Sequence, residues 1–199
     1  LAIIGRTPNA CFEQFRAHVS TLISATLGQQ YVHFGWEDDT KGTISLGPAN
    51  SHAGVRLESG RGEFYLALKQ NLEAVKVEQS YQLKTRGYRY AISQSGELFT
   101  EASIRWEYTH KPPAGRQCRH HFQLGRIEQK APSMDFNGVA LDLNRLHTPT
   151  GFVLIEYVLR FIFTDMDVTP ISFDWENRLS ESEDKFFTEF SGRTSTPPG

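Results

Sequence analysis

The chain has 199 residues, 22% charged and 39% hydrophobic, with a formal net charge of -2. That length can bury a good core and fits one domain, or one domain with an appendage, and the composition suits a soluble globular protein, not a disordered or membrane one. The near-balanced charge excludes a global attraction to nucleic acid, but its distribution is uneven. Between Tyr81 and Arg126 eight basic residues stand against three acids, and between Glu156 and Phe190 nine acids stand against three bases. A basic middle and an acidic end suit a two-signed surface with an anionic ligand on one face, or simply an ordinary solvated exterior.

Cys11 and Cys118 are the only cysteines. Far apart and in no metal spacing, they read as free thiols in a reducing cytoplasm. Leu1-Ala-Ile-Ile4 is too short for the apolar core of a signal peptide and lacks a charged leader. The apolar run at Phe152–Phe163 is well short of the ~20 residues that cross a bilayer. It is expected to be a core helix in a soluble, cytoplasmic protein with no membrane partner.

In chain order, Asn9 is placed as the cap of a first helix. Phe12, Phe15, Val19, Leu22, Ile23 and Thr26 recur at three and four, and Gly28 is its stop. Gln30–Trp36 and Thr43–Leu46 read as strands around an Asp38–Gly42 turn, with Val55–Leu57 a short third. Residues 63–77 fit neither the helical nor the strand period cleanly. From Tyr81 to Ile92 the alternation is β, Ser93–Glu97 is a hairpin turn, and Leu98–Tyr108 is the next strand. Pro112–Gly115 turns that strand into Gln117–Leu124. Ala131–Asn144 reads as loop with a short strand at Val139–Leu143. Thr148-Pro149 reads as a cap with proline at the first helical position, opening the Phe152–Phe163 helix. In that helix Glu156 and Arg160 form the single polar stripe. Asp174–Phe190 reads as a third, amphipathic helix, and 191–199 as a mobile tail. The expected fold is α+β: an antiparallel meander packed against an N-terminal helix and two C-terminal helices, in one domain over residues 1–190.

Strand alternation places candidate chemistry. Arg105, Glu107, Arg119 and His121 are assigned to an open face, and Trp106, Tyr108, Cys118 and Phe122 to the core. His120 falls on the core side by parity but is kept as a candidate. His147 is placed just before a helix whose N-terminal N–H groups favour an anion. Guanidinium, carboxylate and imidazole on adjoining strands suit metal-independent phosphodiester cleavage, with proton transfer by imidazole or carboxylate and arginine stabilising the charge on phosphorus. Packed histidines with satisfied nitrogens give the same pattern. Adjacent histidines point to opposite faces, which disfavours one shared metal, and no glycine-rich phosphate loop, serine elbow or Cys-x-x-Cys motif implies a cofactor. Tyr88-Arg-Tyr90 and Arg105-Trp106 interleave aromatic and basic residues, as do sheets on which bases stack.

Over about Tyr81 to Phe163, the run Tyr88-Arg-Tyr90, a glycine-centred turn, Arg105-Trp106, His120-His121 and a closing buried helix resembles the small β-sheet toxins of bacterial toxin–antitoxin modules, the TumE-like group. The resemblance implies RNA cleavage and a neutralising partner protein, and matches Arg105, His120 and His121 to that group's basic and histidine positions. Three readings stand at this point: a metal-independent ribonuclease, a non-catalytic nucleic-acid- or protein-binding module, and a subunit whose acidic last helix docks elsewhere.

Overall fold

The computed structural model describes residues 3–47, 54–60, 62–94, 103–111, 119–124, 133–136, 139–142 and 147–190. The Ser93–Glu97 and Pro112–Gly115 turns lie wholly or mostly outside them, as do Cys118 and the 191–199 tail. The fold is α+β, as expected.

Strand β1 (Ile4–Gly5) leads into α1 (Pro8–Leu27). The cap is Thr7, not Asn9: its side chain accepts from the Ala10 N–H at 3.2 Å, and Pro8 occupies the first turn, where a missing N–H costs nothing. Gly28 ends the helix at φ 85°, a left-handed value that glycine adopts without strain. Then follow β2 (Val32–Trp36), β3 (Lys41–Leu46), β4 (Val55–Ser59), β5 (Gly62–Val77), β6 (Ser80–Ser93), β7 (Ile104–Thr109) and β8 (His120–Leu124). Residues 63–77, ambiguous in sequence, belong to one long strand. A hairpin, β9 (Ser133–Phe136) with β10 (Val139–Asp142), occupies much of the expected loop.

Thr148-Pro149 opens no helix. It closes β11 (His147–Pro149), which pairs antiparallel with β8, Pro149 opposite His121. An edge strand tolerates a residue without an N–H, so the ladder overrides the local helix signal. Helix α2 (Ile155–Thr164) starts later, from Leu154, and α3 (Trp175–Lys185) runs into a wider π-helical turn, Phe186–Phe190.

The main sheet has nine strands among the described residues, all antiparallel, in the order β11-β8-β7-β6-β5-β3-β2, with β1 added on β6 and β4 on β5. Its helix side carries Ile44, Leu46, Leu66, Leu68, Leu72, Tyr88, Tyr90 and Ile92, all buried. On these lie the buried stripe of α1, with Val158, Leu159 and Ile162 of α2 and Leu179 of α3. Phe161 of α2 meets Trp106 edge-on at 5.5 Å, and Trp175 meets Phe163 at 5.1 Å. A sheet with one face so covered has committed its register, because a one-residue slip would turn every apolar side chain to the other face. No helix among the described residues is long and apolar enough to cross a membrane.

Candidate functional site on the polar face of the sheet

The committed register aligns the other side chains into rows across the strands. One row runs His33 (β2), Ser45 (β3), Lys69 (β5), Arg89 (β6), Glu107 (β7) and His121 (β8), each directly opposite the next. With strands ~4.8 Å apart, it spans about 24 Å. The adjacent row is Gly35, Thr43, Asn71, Gly87 and Thr109.

Between Asn71 and Leu72 the β5–β6 register shifts, leaving Arg86 as the extra residue. Such a bulge re-aims a side chain out of the ladder. Next to it, Gly87 brings β6 so close to β7 that a Cβ would stand 2.7 Å from the Tyr108 carbonyl oxygen. The bare glycine floors an open hollow of about 730 Å3 walled by Lys41, Lys69, Arg86, Arg89, His110 and Lys111, with Glu37, Glu73 and Glu107 as its acids.

Most of these charges are already committed. Arg86 reaches Glu37 at 3.1 Å and Glu73 at 4.0 Å, and Lys41 pairs with Asp38 at 2.7 Å. Arg89 Nε donates to Glu107 Oε1, and the other carboxylate oxygen lies 3.1 Å from His121 Nε2. Lys69, exposed beside Arg89, has no ion-pair partner among the described residues. Five cations against three carboxylates leave the hollow net positive.

Burial alone would raise the Glu107 carboxyl. The charge and hydrogen bond of Arg89, then Arg105 and His121, outweigh burial and hold it below the ordinary value. It is an anchored anion, ill-suited to taking up a proton near neutrality.

The six residues singled out in sequence do not assemble as one site. Glu107 lines the hollow. His121 stands behind it, only 6% exposed. Arg105 shares their side of the sheet, its Nε buried and without a hydrogen-bond partner among the described residues. Burial, opposed by Glu107 and reinforced by Arg89, lowers its pKa from the usual arginine value. Arg119 is exposed just before β8 and does not line the hollow.

His120 faces the helix side. Its ring stacks on Tyr108 at 4.2 Å, and Phe152 closes over both at 5.7 Å. Burial and then Arg119 push its pKa below the usual histidine value. His147 lies in β11 opposite Gln123, several residues before α2 rather than at its N-terminus; only its backbone position is described. Among the described residues, no three His, Cys, Asp or Glu are grouped to hold a metal.

Sequence reasoning missed Lys69, Arg86, Gly87, Arg89, His110 and Lys111. Their signal was a hairpin register: once 62–77 and 80–93 pair around Glu78-Gln79, Lys69 and Arg89 must be neighbours. The fold and the hollow thus define an α+β protein with one helix-covered sheet face and one polar, net-basic face. The chain matches no protein-family model, and no curated protein or solved structure matches it.

Proposed function

We propose that the protein is a binding module for nucleic acid, RNA in the first instance, whose phosphates lie in the hollow over Gly87. The observation that carries this is the Lys69–Arg89 pair of cations on adjacent strands beside a bare glycine floor, with Arg86 and Lys111 at the rim. Lysine and arginine over an open trough suit a chain of phosphates, and neutralising them releases counterions. Glu107, clasped by Arg89 and His121, holds the guanidinium in place rather than acting on the ligand.

Binding of a short oligouridine RNA, followed by fluorescence anisotropy over a range of salt concentrations, tests this. Affinity that falls steeply and linearly on logarithmic axes is expected. Salt-independent binding, or none, would remove the proposal.

Metal-independent cleavage of the bound RNA is the second reading, favoured by the contiguous Arg89–Glu107–His121 chain, whose first two members line the hollow. On this reading the protein acts as a toxin-type ribonuclease and has a neutralising partner. Labelled RNA incubated with the protein in EDTA decides it. Cleavage lost on His121→Ala supports it, and intact RNA rejects it.

A further inference from the structure

The row that carries Lys69 ends on β2 at His33, beside the exposed ring of Tyr31. Tyr31 immediately precedes β2 and is 71% exposed. Its ring stacks with that of His33, the first member of the row, at 6.0 Å and 29°. Its backbone is held in place by the Gly47 N–H, which donates to the Tyr31 carbonyl at 3.1 Å.

The aromatics expected in sequence to stack bases do not face the hollow. Tyr88 and Tyr90 are 3% and 2% exposed, and Trp106 packs against Phe161 under the helices. The row's other end is closed, His121 on β8 being 6% exposed, and one step along the strands the small residues Ala67 and Ala91 are 4% and 0% exposed. From Lys69 the row continues across Ser45 on β3 to His33 on β2. His33 and Lys69 are two strands apart, roughly 10 Å.

We infer that Tyr31, backed by His33, is a base-stacking platform, and that the ligand is a single-stranded nucleic acid with an unpaired base on Tyr31 and its phosphates on Lys69 and Arg89. This rests on the phosphate-binding reading of the hollow. A π-face accepts any base, so the platform selects single strand over duplex without selecting sequence. A duplex keeps its bases stacked inside and presents only phosphate.

The test compares oligouridine with an abasic oligomer of the same length, against wild type, Tyr31→Ala and Tyr31→Phe. Because Tyr31 is exposed, neither substitution threatens the fold. Tyr31→Ala is expected to weaken oligouridine binding by roughly 5- to 160-fold, the range for removing a single base–aromatic stack. It should leave abasic binding unchanged, and Tyr31→Phe should behave as wild type. Equal effects of Tyr31→Ala on both oligomers, or no effect on either, overturns the platform while leaving salt-dependent binding intact. If wild type binds neither oligomer, or binds only a protein, the phosphate reading falls and the platform with it.

Discussion

Glu156 offers the sharpest test of the energetics. With Arg160 it forms the polar stripe of its helix, yet it is 1% exposed. Its Oε1 accepts from Ser182 Oγ at 2.5 Å, and the same hydroxyl lies 3.0 Å from His18 Nε2, joining α2, α3 and α1. Arg160 turns instead to Glu183 at 3.4 Å. Burial pushes the Glu156 carboxyl up from 4.5 to about 7, against the Ser182 hydrogen bond and Arg160, which lower it, and with the help of Glu183.

Below pH 4.5 folded and unfolded chains both hold this proton. As pH rises toward about 7 the unfolded chain has lost it and the folded chain has not, so stability falls through that window. At about 1.4 kcal/mol per pH unit, the deficit reaches about 3 kcal/mol by pH 8. His18 works the other way: burial, then Lys185, lowers it to about 4, so stability falls as pH drops from 6.5 through about 4. Across pH 4.5–6.5 the two slopes oppose each other.

Glu156→Gln keeps an acceptor for Ser182 and removes the first slope. Urea unfolding at pH 4, 6 and 8 should show the variant equal to wild type at pH 4 and more stable by about 3 kcal/mol at pH 8. A difference independent of pH, or a variant less stable at pH 8, would refute the reasoning.

Other outcomes follow from individual interactions. Gly87→Ala must push the Tyr108 carbonyl of β7 away from β6, and is expected to cost about 1–3 kcal/mol in urea unfolding, the range of an overpacked site. A change under about 0.5 kcal/mol would mean that the strands yield freely. Tyr88→Phe leaves the Val153 N–H without the hydroxyl that accepts it at 2.8 Å, and should cost about 1–3 kcal/mol by the same assay. No loss would mean that Val153 finds another acceptor.

How far the sequence was legible depends on which signals were local. The α1 stripe, the β6–β8 meander and the helical segments at the C-terminal end were readable because each carries its own period. Residues 62–77 were not. Gln70 sits on the apolar side, satisfied by Thr85 and Tyr90, while Ala67 sits buried on the polar side, so alternation blurs. The turn that would have announced the hairpin has Glu78 at φ 54°, where the usual signature is asparagine or glycine.

For the same reason the site was only half legible. Glu107 and His121 came from strand parity within the meander, whereas Lys69 and Arg89 needed the long hairpin. His120 shows the other limit: parity placed it on the core side, and only the ring contacts with Tyr108 and Phe152 reveal its part in packing.

On the proposed reading, phosphates sit on Lys69 and Arg89. The most direct measurement is the salt dependence of oligouridine binding for Lys69→Glu, beside Arg178→Glu on the far-side helix α3 as control. Lys69→Glu should weaken binding and flatten the logarithmic salt slope by roughly 0.7 for each phosphate it no longer neutralises, with Arg178→Glu unchanged. Equal slopes for wild type and Lys69→Glu would contradict the claim.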